Sequence, residues 1–261
     1  MSDLPGMSNN FVDESELPNR SALIVGAGQG IGLEFVRQFL QGDRTTHLFA
    51  TYRNPESELL SINDSRLRCL PLDITEDDQI AAIIDKIKAE TAALHTVINC
   101  AGVLHDGAMQ PEKSLRHLNS EQLVRYFQVN SIGAVLLARH IQPLLKHGDR
   151  ALLATISAKV GSIGDNQLGG WYGYRASKAA LNMFMRTTAI EYRRTCPRAI
   201  VVTLHPGTTD TQLSRPFQRS VPPEKLFSCD RTVRQLLAVL DQLQESDSGE
   251  FFSWDGSRLP W

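Results

Sequence analysis

The sequence predicts an α/β domain in which a parallel sheet is covered by helices on both faces. Two observations carry the prediction. Short apolar runs alternate with segments of helical spacing from residue 21 onward, the pattern of successive strand–helix–strand units. The first apolar run also ends in a glycine-rich turn, VGAGQGIG at 25–32, which leads straight into a helical pattern. Right-handed crossovers between parallel strands bury a sheet on both sides.

Each element follows from its own residues. Ser21–Val25 is a short apolar run and reads as a buried strand. In IGLEFVRQFLQ (31–41), Ile31, Phe35, Val36, Phe39 and Leu40 share one helical face. HLFATYR (47–53) is a second strand and LRCLPLDI (67–74) a third, followed by a helix over about 76–90 and the strand LHTVINC (94–100). The segment 120–147 reads as one long amphipathic helix, ending before His147-Gly148. ALLATIS (151–157) is a strand with a glycine-rich loop after it, 172–195 a long helix, and AIVVTLH (199–205) a sixth strand. Residues 208–229 break the alternation: they are polar, contain three prolines, and follow the carboxyl end of a strand, where open α/β sheets bind ligands. This stretch is either a substrate lid or a plain surface excursion. The expected organisation is a flexible tail over 1–20 and a single domain over 21–261.

Composition narrows the function classes. A chain of 261 residues with 42% hydrophobic residues can bury a large core, and its net charge of −2 gives no electrostatic case for nucleic acid or an anionic membrane. Cys69, Cys100, Cys196 and Cys229 are widely spaced, with no metal-ligand pattern, so no metal is expected; Cys69 and Cys100 read as buried free thiols. No run reaches the roughly 18 apolar residues of a membrane helix. The first twenty residues are polar and acidic, unlike a signal or transit peptide, so a cytoplasmic location is expected.

The glycine turn suggests a dinucleotide. Gly26, Gly28, Gly30 and Gly32 allow a tight turn and close backbone approach to a diphosphate at a helix N-terminus, with Gln29 and Ile31 between them. A plain strand–helix turn is the other reading. About twenty residues on, where a ribose would sit, the chain has Ala-Thr-Tyr-Arg-Asn rather than an acid. Arg53 suits a 2′-phosphate, which favours NADP over NAD; a solvated strand-end arginine is the alternative. Asp73, with Ile74 beside it, could meet the adenine or merely cap the helix near Thr75. Asn99, Cys100, Ala101 and Gly102 end the fourth strand with small residues that suit a backbone passing a ribose.

WYGYRASK (171–178) holds two tyrosines and a lysine. On a helix, Lys178 lies on the face of Tyr174, four residues away, and not on that of Tyr172, six away. An adjacent ammonium favours phenolate, so Lys178 is expected to lower the Tyr174 pKa and let it exchange a proton with a substrate oxygen. YxxxK alone is common, and both residues could simply be structural.

VGAGQGIG, the NCAG segment, Asn130 in FQVNSIGA, the loop after ISAKVGSIG, YRASKAALN and HPGTTDT stand in one order along the chain. That ordered set resembles the short-chain dehydrogenase/reductase family over roughly residues 20–261. GGWYGYRASKAALN and the ending WDGSRLPW look like its C-factor group, which includes small carbonyl reductases. The resemblance implies a Rossmann-type doubly wound, three-layer αβα fold and hydride transfer between NADP(H) and a carbonyl or secondary alcohol. It implies that Tyr174 is the general acid/base and that Lys178 binds the nicotinamide ribose. Asn130 would hold a water through its helix backbone. Pro206, Gly207, Thr208, Thr209 and Thr211 would line the nicotinamide and diphosphate. It also implies a homodimer or homotetramer associating through the two long helices. Two positions depart from the family pattern. Val25 replaces the usual threonine, and Ala158 stands where a serine usually helps hold the substrate oxygen; Ser157 or Ser162 would have to substitute. A dinucleotide-binding regulatory protein with weak or no catalysis is the rival reading. Phe251, Phe252, Trp254 and Trp261 suggest an apolar pocket near the C-terminus, or core.

Overall fold

The computed structural model describes residues 20–43, 45–107 and 109–261, so the expected tail lies, Arg20 apart, outside the described residues. Seven strands form one parallel sheet: β1 (Arg20–Val25), β2 (Thr45–Tyr52), β3 (Leu67–Pro71), β4 (Thr96–Asn99), β5 (Ala151–Ile156), β6 (Ala199–His205) and β9 (Phe251–Ser253). Their order is β3-β2-β1-β4-β5-β6-β9. Successive side chains of each strand serve opposite faces, which is why the runs are apolar throughout. Leu23, Val25 and Leu153 pack under α2 (Asp77–Glu90), α4 (Gly133–Leu145) and α5 (Tyr172–Thr195). Ala22, Ile24 and Ala154 pack under α1 (Gly30–Gln41) and α6 (Cys229–Gln242). The fold is the expected three-layer, doubly wound sheet. No helix among the described residues is long and apolar enough to cross a membrane.

Three features differ from the sequence expectation. The helix foreseen over 120–147 is divided into α3 (Ser120–Phe127), a π-helical turn at Gln128–Ile132, and α4. The amphipathic pattern runs on across the extra residue of a π turn, so the break is not visible in the spacing. Two elements past residue 228, α6 and β9, have no counterpart in the expectation. The C-terminal aromatics build this edge rather than a pocket. Phe251 and Phe252 are buried within β9, Trp254 meets Phe227 edge-on at 4.8 Å, and Trp261 stacks on Phe251 at 5.8 Å. The segment 208–229 holds a small parallel pair, β7 (Thr208–Thr209) with β8 (Leu226–Phe227), and two short 3₁₀ turns between them.

Candidate active site

Strand order reverses between β1 and β4, so the connections leaving their carboxyl ends diverge and open a crevice. A cavity of about 1380 Å³ lies there. Every residue named above for cofactor binding lines it except Asn99, which is buried beneath and accepts a hydrogen bond from Ala101 N at 3.0 Å. The first part of 208–229 lines the cavity too, through Leu213, Phe217 and Val221 among others.

The half of the cavity over β1 and β2 is built by backbone. Gly26 has φ +76, and a Cβ there would stand 2.8 Å from Ala101 N, so only glycine lets the turn pass the end of β4. The first turn of α1 faces the crevice. Its N-cap, Gln29, offers no side-chain hydrogen bond, so the positive helix end is left to whatever occupies the cavity. Arg53 is exposed at the rim. Asp73 Oδ1 accepts from Thr75 N at 3.0 Å and from Thr75 Oγ1 at 2.7 Å. Burial pushes the Asp73 carboxyl up. The Thr75 donors, with Arg125 and Arg53 nearby, outweigh burial and hold it below the usual carboxylate range. Asp73 therefore orders the turn before α2 and still lines the cavity. These groups fit a phosphorylated dinucleotide: bare helix N–H groups for a diphosphate, a tight glycine turn that leads into them, and a rim guanidinium.

The other half surrounds Tyr174. Helical spacing puts Tyr174 and Lys178 on the inner face of α5, 6% and 3% exposed, while Tyr172 is 39% exposed. Lys178 Nζ donates to Ile156 O at 3.0 Å and lies 5.9 Å from the centre of the Tyr174 ring. The direction of the phenol's shift differs from the expectation. Burial among Leu104, Tyr126, Trp171 and Phe217 pushes the Tyr174 pKa above the ordinary phenol value, and the ammonium does not reverse it. Burial also lowers Lys178 to about 8, with Cys100 opposing. The site therefore holds a neutral phenol beside a lysine that remains mostly charged at neutral pH. His205, at the end of β6, also lines the cavity; burial lowers it to about 4, so its imidazole is neutral.

Asn130 sits in the π turn, buried. Its Oδ1 accepts from Val103 N at 2.7 Å, and its Nδ2 donates to Val103 O at 2.9 Å and Ser177 Oγ at 3.0 Å. It thus joins the loop after β4 to α5, with Gly102 between its Oδ1 and Lys178 Nζ. Neither candidate serine presents a free hydroxyl to Tyr174. Ser157 Oγ donates to Asn182 Oδ1 at 2.7 Å. Ser162 Oγ donates to Trp261 O at 3.3 Å and accepts from Asp165 N at 3.1 Å, away from the cavity lining. Ala158 packs with Val160 and Trp171 in the apolar wall around Tyr174.

Sequence reasoning marked 208–229 as a segment that could meet a ligand but singled out neither Phe217 nor Leu213 within it, and it missed His105. Phe217 meets Trp171 at 4.8 Å, and His105 Nε2 lies 3.1 Å from Gln212 O and 3.2 Å from Leu213 O, tying the loop after β4 to the segment after β6. These residues belong to three separate segments, so no local spacing could have grouped them. At the opposite end of the sheet, ligand atoms of His95, His147 and Asp149 lie within 4.8 Å of one another. Ser21 N donates to His95 Nδ1 at 3.2 Å and His147 Nε2 meets Leu94 O at 2.9 Å, so one nitrogen of each ring is already engaged.

Comparison with known proteins agrees with this geometry. A family model described as short chain dehydrogenase matches residues 20–221. The C-signal protein of Myxococcus xanthus is 33% identical over 149 residues, 57% of this chain and 84% of that protein. A 1-hydroxy-2-glutathionyl-2-methyl-3-butene dehydrogenase of Rhodococcus is 27% identical over 92% of this chain and 99% of its own. Among solved structures, an NADPH-bound carbonyl reductase from chicken fatty liver superposes with a TM-score of 0.82 at 30% identity, covering 94% of this chain and all of that one. The chain belongs to the short-chain dehydrogenase family of oxidoreductases.

Proposed function

We propose that the protein is an NADP(H)-dependent carbonyl reductase, working in reverse as a secondary-alcohol dehydrogenase, with Tyr174 as its general acid/base. The observation that carries the reading is the placement of Tyr174 and Lys178 in the same cavity as the uncapped N-terminus of α1. The NADPH-bound state of the chicken carbonyl reductase supports the choice of cofactor. The turn at 26–31 would hold the diphosphate, Arg53 the 2′-phosphate, and Pro206 to Thr211 the nicotinamide end. When bound, NADPH supplies the hydride.

The chain's own residues handle the proton and the geometry. Tyr174, neutral because it is buried, donates its phenolic proton to the carbonyl oxygen as charge develops there. Lys178, anchored on Ile156 O, keeps a positive charge beneath the reacting centre and stabilises the phenolate left behind. Asn130 fixes the loop after β4 against α5, so the floor of the site and its proton donor move as one body. Trp171, Phe217 and Leu213 exclude water from the phenol.

Mixing the purified protein with NADPH and a panel of aldehydes, ketones and quinones tests the reading. NADPH oxidation by wild type that Tyr174→Phe abolishes is expected, and wild type without such turnover sinks the enzymatic reading. Ala158 favours the second reading, a dinucleotide-binding regulatory protein, because no serine hydroxyl faces Tyr174. Tight NADPH binding by calorimetry without turnover on the panel identifies that case.

A further inference from the structure

We propose that Glu112 is a positioning residue for Tyr174: it caps the N-terminus of α5 from outside the helix and so sets the depth of the phenol in the cavity. The proposal rests on the reading of Tyr174 as proton donor. Glu112 lies in the loop after β4, only 2% exposed, and has no part in the chemistry described above. Its Oε2 accepts from Gly173 N at 3.2 Å and its Oε1 from Gln122 Nε2 at 3.2 Å. Its main-chain oxygen accepts from Trp171 N.

These bonds meet a need of the helix. The first N–H groups of any α-helix have no partner within it. Trp171, at the N-cap of α5, supplies no side-chain acceptor. Glu112 satisfies two donors of that turn and sets a carboxylate against the positive end of a 24-residue helix. Tyr174 is the third residue of α5, within the turn that frays first when uncapped.

Two further observations show that the local structure is shaped around this contact. A Cβ on Gly173 would stand 2.4 Å from Tyr126 Cδ2 and 2.9 Å from Glu112 Oε1, so a side chain there would push the carboxylate away. Trp171 is the one non-glycine with positive φ among the described residues, at +52. Its backbone N–H is held by Glu112 while its indole meets Tyr174 edge-on at 6.2 Å. Burying a carboxylate is unfavourable in itself, and a site needed only for packing is served better by an apolar side chain.

Glu112→Gln tests the role with little change of shape. Glutamine has one side-chain acceptor where the carboxylate has two, so either Gly173 N–H or Gln122 Nε2 is left facing an NH₂ group. The expected result is a fall in kcat of about tenfold to about a hundredfold, with NADPH affinity and Tm close to wild type. Amide exchange at residues 172–175 of the NADPH-bound protein should accelerate by about tenfold, while exchange in the rest of α5 is unchanged. A kcat within about twofold of wild type, or unaltered exchange at the turn, overturns the proposal. So does a parallel loss of kcat, NADPH affinity and Tm, which marks a general structural role. Absence of any Tyr174-dependent turnover in wild type instead refutes the function proposed above, and the exchange measurement still reads the cap.

Discussion

Lys178 should set the alkaline limit of carbonyl reduction. It is 3% exposed, and burial lowers it from the ordinary 10.5 to about 8, with Cys100 opposing slightly. The difference, 10.5 − 8, corresponds to about 3 kcal/mol disfavouring the charged form at roughly 1.4 kcal/mol per pH unit. Burial moves Tyr174 the other way, above its ordinary value. As pH rises, the phenol therefore keeps its proton and the ammonium beside it is lost first. The kcat/KM for NADPH-dependent reduction should be level from about pH 6 to about pH 7.5, then fall toward tenfold per unit above about pH 8. Lys178→Arg keeps the charge at all these values, so its profile should lose the alkaline limb, at a lower absolute rate because the guanidinium cannot reproduce the compact ammonium's bond to Ile156 O. Initial rates of NADPH consumption at saturating and limiting ketone measure both profiles. A wild-type profile flat to about pH 10 refutes the assignment, as does a limb that stays in place in Lys178→Arg.

Three other outcomes are expected. Arg53→Ala should weaken NADPH binding by about tenfold or more and leave NADH binding unchanged, since a charge-assisted bond to one phosphate is removed; calorimetry with both nucleotides decides it. Ala158→Ser should place a hydroxyl in the wall beside Tyr174 and raise kcat, by up to about 10²-fold if the missing donor limits the wild-type rate, and an unchanged kcat shows that the site works without it. His205 takes up its proton near pH 4 in the folded state but at about 6.5 when unfolded. Stability present above pH 6.5 should then be lost as pH falls toward 4, by up to about 3 kcal/mol, and denaturant melts of wild type and His205→Gln at successive pH values should show a shallower slope in the variant.

Much of the fold is legible because buried parallel strands need no partner pattern to be recognised. β6 and α5 match their expected bounds, and the apolar runs marking β1, β4 and β5 are those that fill both faces of the sheet. Elements failed to show where local pattern carries little. β9 is three residues long and stands at a sheet edge, and α6 follows a proline-rich stretch that masks its start. The π turn at Gln128–Ile132 keeps the amphipathic face of its neighbours, so the segment reads as continuous helix. It is the place where Asn130 turns inward to reach Val103 and Ser177.

By itself the sequence determined what depends on residues near one another along the chain. Glycines at 26 and 30 make the turn beneath α1, and the four-residue step from Tyr174 to Lys178 puts both on one face of α5 while excluding Tyr172. Tertiary structure decided what depends on environment. It buried Tyr174 deeply enough to raise the pKa that an ammonium alone would lower, and it committed the Ser157 hydroxyl to Asn182. It also brought Glu112 to the amide of Gly173 from 61 residues away. Desolvation and capping from outside a helix arise only when distant segments pack together, and no spacing along the chain encodes them.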